Sequence, residues 1–263
     1  MVGARSVIGR LTADLHSGPC GRWDRVNTLD LDVPPGAELS SAPEREVLNG
    51  ANAAAVLTPS GEWEVLQWAN AVLLAPGRYR LTGLLRGQLG TEFARGRPTP
   101  AGAPFVMLTG ALVQSRLPLA DRELPLSFRR GPLGQPPDSS AYAGVDLTVR
   151  GVGLRPYAPA QARLHRLESG DLLLTWIRRT RLNGDAWEQA EVPLAEEREA
   201  YAVEILNGTT LLRRREVAEP RLTYTAAEQA ADLGGPVTSL AVAIHQLSAT
   251  YGRGPALRTT LHL

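Results

Sequence analysis

The residues able to carry chemistry are few, and their spacing does not assemble them. The four histidines are His16, His165, His245 and His262, and no two stand at metal-ligand spacing on one predicted element. His245 lies in the alternating run AVAIHQLS, where a half-buried or surface strand residue is expected. The single cysteine, Cys20, excludes an internal disulfide and a thiolate metal cluster. Placed between Gly18-Pro19 and Gly21, it reads as an inert loop cysteine rather than a nucleophile. No G-x-S-x-G elbow supplies a serine nucleophile. Two carboxylate pairs, Asp30/Asp32 and Glu62/Glu64, have the i, i+2 spacing that puts both groups on one strand face. A glycosidase needs paired carboxylates, but in a β protein this spacing is the ordinary solvent-side pattern, and both pairs are read so. Glu196, Glu197 and Glu199 are read as a solvated acidic loop, and Gly151-Val152-Gly153 is too short for a dinucleotide fingerprint. No catalytic, cofactor-binding or metal-ligating residue is assigned, no cofactor is expected, and the chain is expected not to be an enzyme.

Two basic clusters remain, Arg178, Arg179 and Arg181, and Arg213, Arg214 and Arg215. With Trp187 they form the candidate interaction surface. Guanidinium groups there could meet DNA phosphates, a phosphate-bearing envelope, or carboxylates of neighbouring subunits. Glu188, Glu191, Glu216 and Glu219 lie close in sequence and favour salt bridging within or between subunits. The net charge of +1 argues against nucleic acid or anionic lipid as a main partner. All 28 basic residues are Arg, which the composition bias of a GC-rich genome explains without chemistry.

The elements that must position these residues read as short strands. The 263 residues suffice for two units with separate cores, and 26 Gly and 20 Pro scattered along the chain favour many turns over long helices. Leu29, Leu31 and Val33 alternate with Asp30 and Asp32, so a strand with one wet face is expected there. Residues 44–56 read as a short helix or turn, and Trp63, Val65 and Gln67 as a strand. AVLLA and RYRLTGLL flank a Pro76-Gly77 turn, and residues 105–113 suggest a strand pair turning at Thr109-Gly110. Residues 129–140 are the most loop-like stretch, and RPYAP (155–159) marks the better domain boundary. Seven strand-like runs then follow from Gln161 over about 100 residues, the number and spacing of a seven-stranded sandwich. Asn207-Gly208 between two of them predicts a type I′ hairpin, which suffices to explain a local glycosylation sequon. Ala226–Leu233 suggests one or two helical turns. No apolar run reaches the ~20 residues needed to span a bilayer, and residues 1–10 lack the apolar core of a secretion signal. The expected fold is mainly all-β: a β-rich domain over 1–157, as one domain or two subdomains, then a sandwich over 158–263.

Trp176 in DLLLTW resembles the buried tryptophan on the second strand of fibronectin type III domains, and Tyr201 and Val203 in AYAVEI resemble the strand that follows. The resemblance implies that all three are core residues. A second resemblance is carried by LLAPGRYRLTGLLRGQLGTE (73–92), GVGLRP (151–156) and residues 172–206. These segments are similar to the carboxy-terminal region of baseplate hub (tail-tip) proteins of gene transfer agents and siphophage tails, which carry a glycoside-hydrolase TIM-barrel-like domain upstream. The element RGQLGTE (86–92) recurs more widely in tail-tip hub and host-specificity proteins. No βα alternation of such a barrel occurs in this chain. The resemblance therefore implies a piece of such a protein or a shortened relative, to which a hydrolase role is not expected to carry over.

The resemblance implies a structural part of a phage-like tail tip, made in the bacterial cytoplasm and carried on the particle. Its role would be tail-tip assembly and contact with the host envelope during DNA delivery. Expected partners are other tail or baseplate proteins, with threefold symmetry one option, and a cell-envelope receptor. Direct nucleic-acid contact and a membrane span are not expected. One alternative is an adhesion module for envelope glycans or peptides, with Trp23, Trp63, Trp68, Trp187 and Tyr251 as its exposed aromatics. A cell-wall hydrolase is the remote alternative.

Overall fold

A computed structural model describes residues 6–184 and 191–263, so Trp187 and Glu188 lie outside the described residues. The chain is mainly β and forms two compact units. The first comprises residues 1–117 with 130–143, and the second 118–129 with 144–263.

The first unit is a closed barrel of six antiparallel strands. They are β1 (Ile8–Leu11), β2 (Leu29–Asp32), β3 (Ala53–Leu57), β4 (Trp63–Ala75), β5 (Arg78–Gln88) and β6 (Pro104–Met107), in the order β1-β2-β5-β4-β3-β6. Closure comes from β6, which pairs with β1 on one edge and β3 on the other. That double use explains why residues 108–113 do not form the second strand expected there: both edges of 104–107 are already taken. Alternation fills the interior with Leu29, Leu31, Leu66, Trp68, Leu81, Leu84 and Phe105, all fully buried. Trp68 packs on Phe105 at 6.2 Å between ring centroids, and its indole N–H donates to Ser40 O at 3.1 Å. Trp68 is therefore core, not the exposed aromatic that the sequence suggested.

On the outer face Asp30 and Asp32 stand opposite Arg80 and Arg78. Each pair is bidentate, at 2.6–2.8 Å and 2.8–3.1 Å. The β4–β5 turn needs Gly77, which has φ +73°, since a Cβ there would lie 2.8 Å from Val33 O. α1 (Glu44–Leu48) is one short helix that buries Val47. β4 outruns β3, whose pairing stops at Gln67. The 40–42 segment takes over as far as Ala71: the Ala42 N–H donates to Ala69 O at 2.8 Å, and the Ala71 N–H donates to Ser41 Oγ at 2.9 Å. By the same alternation the N–H and C=O of Leu73 point away from β5. Val72, Leu73 and Leu74 are 53%, 58% and 46% exposed.

In the second unit, β7 (Pro125–Arg130) and β8 (Ala143–Thr148) form a two-stranded ribbon. Seven strands then build a sandwich: β9 (Ala160–Arg166), β10 (Leu172–Ile177), β11 (Tyr201–Asn207), β12 (Thr210–Val217), β13 (Arg221–Tyr224), β14 (Ser239–Ser248) and β15 (Gly252–His262). One sheet runs β13-β10-β9 and the other β12-β11-β14-β15, the fibronectin-type-III arrangement. Leu172, Leu174 and Trp176 face Tyr201, Val203, Ile205, Leu240, Val242 and Ile244 in one core. The Trp176 and Tyr201 rings meet edge to face at 5.2 Å.

The β11–β12 hairpin differs from expectation. Asn207 pairs with Thr210, so Gly208-Thr209 is the two-residue loop, and only Gly208 has positive φ, +59°. That places glycine first, as in a type II′ turn, rather than the type I′ turn centred on Asn207-Gly208. α2 (Ala226–Leu233) opens with a full capping box between Thr225 and Glu228 and closes at Gly234, φ +82°.

Replacing Trp176 by Ala is expected to remove about 3–5 kcal/mol from the sandwich. Urea unfolding followed by circular dichroism measures it, and Trp176→Phe should cost less. An unchanged midpoint for Trp176→Ala would show that the indole is not in the core.

Candidate functional site

The element RGQLGTE (86–92) is built around a buried charge. Arg86 continues the inward-facing series of β5 and is 1% exposed. Glu64 shares a face of β4 with Leu66 and Trp68 and is fully buried. The two meet in a bidentate pair, both bonds 2.7 Å. Arg86 also donates to His16 O at 2.9 Å and lies 3.8 Å from Asp24 Oδ2. Glu64 accepts the Gly87 N–H at 3.1 Å as well. Every charge in the cluster is thus paired, as burial requires. The sequence placed Glu64 on the solvent face with Glu62, and the structure corrects this. The available signal was parity, because Glu64, Leu66 and Trp68 alternate together.

The remaining residues of the element complete the local geometry. Gly87 has φ +61°, and a Cβ there would lie 2.7 Å from Glu92 Cα. Thr91 Oγ1 accepts the Val65 N–H at 2.9 Å and donates to Gln88 O at 2.7 Å, stitching the turn to β4. Leu89 at the tip has φ +53° and is 73% exposed. Cys20 bridges to the Arg86 backbone, its thiol 3.4 Å from Arg86 O, and burial pushes its pKa up. A thiol so placed is a poor nucleophile. Asp24 would be pushed up by burial, but hydrogen bonds from Asn27 and Val26, together with the Arg86 charge, hold it below the usual carboxylate range.

The arginines singled out from the sequence are not gathered into one open surface. Arg178 donates to Val192 O at 2.8 Å and lies 4.0 Å from Glu199. Arg179 stands 5.2 Å from the Tyr157 ring, and Arg181 binds Glu196 at 3.2 Å and Ala195 O at 2.8 Å. Arg213 reaches from β12 to Asp232 at 2.6 Å and Glu228 at 3.2 Å, and Arg215 reaches Glu228 at 2.5 Å, so both tie α2 to the sheet. Arg214 points to the other face. There it shares Glu204 with Arg253, at 2.8 and 2.6 Å. His245 adjoins this pair and donates Nδ1–H to Gly254 O at 2.8 Å, while burial lowers its pKa. Sequence proximity named Glu216 and Glu219 as partners. Among the described residues the partners are Glu196 and Glu199 of the loop before β11, Glu204 of β11, and Glu228 and Asp232 of α2. Trp176, Tyr201 and Val203 are buried together, and Trp187 lies outside the described residues.

Among the described residues no group of three His, Cys, Asp or Glu is placed to hold a metal ion, and no helix is long and apolar enough to cross a membrane. The acidic loop before β11 is not simply solvated as expected: Glu196 is buried against Arg181, and Glu199 accepts the Tyr201 hydroxyl at 2.6 Å. Glu197 accepts the N–H groups of Ala249 and Thr250, both at 2.9 Å, and the hydroxyls of Thr250 and Ser248.

Removing one partner from the buried cluster is expected to cost about 3–5 kcal/mol of barrel stability in chemical denaturation. Arg86→Met should be worse than Glu64→Gln, because it strands two carboxylates instead of leaving one cation with Asp24. Equal, small effects would show that the cluster is solvated. A second expectation concerns pH. The Thr250 hydroxyl and the turn N–H groups hold Glu197 at about 2, below its ordinary 4.5. The folded value is the lower one, so this clamp is complete above pH 4.5 and is lost as pH falls through about 2. The Thr250 amide resonance should titrate near pH 2 and cease to do so in Glu197→Gln; a midpoint at 4.5 would refute the clamp.

A family model described as Rcc01698-like, C-terminal, matches residues 6–106, the span of the barrel. No curated protein matches the chain. Among solved structures, the rat CD45 extracellular region, domains d3–d4, is 9% identical at a TM-score of 0.31, over 59% of this chain and 72% of that one. The chicken CNTN1 FN1–FN3 domains are 11% identical at a TM-score of 0.28, over 94% of this chain and 99% of that one. Neither similarity carries an argument about fold or function, and the sandwich assignment rests on this chain's own strand order.

Proposed function

We propose that this chain is a non-catalytic structural component of a phage-like tail tip of the gene-transfer-agent type, serving tail-tip assembly and contact with the host envelope during DNA delivery. The observation that carries this reading is the family match over residues 6–106, which covers the barrel up to Val106 and includes its RGQLGTE element. The similarity of residues 73–92 to tail-tip hub proteins points the same way. The surface chemistry suits assembly. Val72, Leu73 and Leu74 stand exposed at the end of the β4–β5 hairpin, beside a short stretch of unpaired strand edge. Such a feature is a ready contact for a neighbouring chain. In a threefold tip, copies of the chain would meet head to tail, so each contact would use two different patches. Arg86, Arg181, Arg213 and Arg214 are each bound to a carboxylate of their own unit, so these guanidinium groups are not available to hold passing DNA.

The test is location. Antibodies to the chain should label one pole of purified tails by gold electron microscopy, and loss of its gene should leave particles without a complete tip. Complete, infectious tails lacking the chain would overturn the proposal. Leu73→Asp should reduce incorporation into particles while leaving the chain folded.

A further inference from the structure

The loop 17–27 is a fixed structure that presents free chemistry. Asp24 holds it from below. Its backbone exchanges N–H and C=O bonds with Leu84 at 2.8 and 2.9 Å, and its carboxylate accepts the N–H groups of Val26 and Asn27 at 3.2 and 3.0 Å. Asn27 Nδ2 donates to Asp24 Oδ2 at 2.8 Å and lies 3.4 Å from Ser17 O, closing the loop on itself. Ser17 Oγ donates to Arg95 O at 2.6 Å, and the Arg95 side chain reaches Gly18 O. Side chain plus main chain thus fix both ends, so a ligand would meet a preorganised surface.

That surface is a depression of about 460 Å3, lined by Ser17, Pro19, Arg22, Trp23, Arg25 and Val26 among others. Its size falls at the lower end of the range for small-ligand sites, roughly 300–1,000 Å3. Trp23 is half-buried, and its indole N–H makes no hydrogen bond among the described residues. Arg25 stands 5.8 Å over the Trp23 ring and holds Glu44 at 2.7 Å with its side chain still 63% exposed. Arg22 is exposed and, among the described residues, makes no ion pair or hydrogen bond, unlike the arginines of the sandwich described above. An indole face with a free N–H donor, beside a free guanidinium in a concave site, is the chemistry of an acidic sugar. A pyranose lays its C–H face on an aromatic ring, and an anionic substituent takes a charge-assisted bond from Arg. A single aromatic with no basic stripe does not suit a nucleic-acid strand.

We propose that loop 17–27 binds an acidic sugar residue, its ring on Trp23 and its carboxylate or phosphate on Arg22. The proposal goes beyond the assembly role and stands or falls separately from it.

The whole chain is titrated with trigalacturonate, glucose 6-phosphate, maltotriose and inorganic phosphate, by calorimetry and by tryptophan fluorescence. Trigalacturonate or glucose 6-phosphate should bind and perturb the fluorescence, and the stronger of the two identifies the anion. Arg22→Ala should weaken that binding by about tenfold, the loss expected for one charge-assisted bond. Trp23→Ala should weaken it and abolish the fluorescence change, while Trp63→Ala changes neither. Circular dichroism of each variant should match the parent, because neither side chain is part of the barrel core. Equal binding of maltotriose, or equal binding of inorganic phosphate alone, would overturn the proposal. So would binding that survives both Arg22→Ala and Trp23→Ala, or no binding by any probe.

Discussion

The barrel is organised by one buried ion pair, Arg86 with Glu64. A guanidinium taken out of water is tolerated only if its donors are all satisfied, and here a carboxylate, a backbone carbonyl and a second carboxylate satisfy them. Those partners come from three separated stretches of chain. The pair therefore fixes the register of β4 against β5 and draws the 15–27 segment across them. It also explains why the following residues are so constrained: Gly87 must pass close to Glu92, and Thr91 must return to β4. An apolar substitute of similar volume would bury as well, but it would not select one alignment of strands over its neighbours.

The sandwich solves the same problem differently. Its interior is mainly apolar around Trp176 and Tyr201, with Gln246 buried opposite Tyr201, and its charges are held at the margins. With no lysine available, every cationic contact is a planar fork that suits carboxylates two bonds at a time. Arg213 and Arg215 use this to bind α2 over the sheet, and Arg214 and Arg253 use it to hold Glu204 on the opposite face. A rich arginine content is thus compatible with a surface of low net field.

Legibility differed between the two halves for a physical reason. The sandwich strands and α2 could be read almost residue by residue, because each has one wet face or one clear punctuation mark, as at Pro76-Gly77 in the barrel and Gly234 after α2. Barrel closure could not be read, because closure is a pairing of β6 with β1 and β3 across long separations, and no local pattern encodes it. Side-chain partners were the least legible. Glu64 looked like a solvent residue until its parity with Leu66 and Trp68 was honoured, and Arg213 was matched to Glu216 and Glu219, its neighbours in sequence, whereas its partners Glu228 and Asp232 lie on α2. Of the loop 17–27, only the loop setting of Cys20, and Trp23 as a candidate exposed aromatic, were read from the sequence. Its shape depends on Asp24, whose burial depends in turn on Arg86.

A ring of strands with no loose sides cannot grow. Over most of its circumference this barrel offers nothing for a stray peptide to zip onto, which protects a crowded cell from runaway fibres of it. The exception is the few residues where β4 runs on past its neighbour to Ala75. Such a short step is too small to template an endless ribbon, yet sufficient to seat one incoming chain.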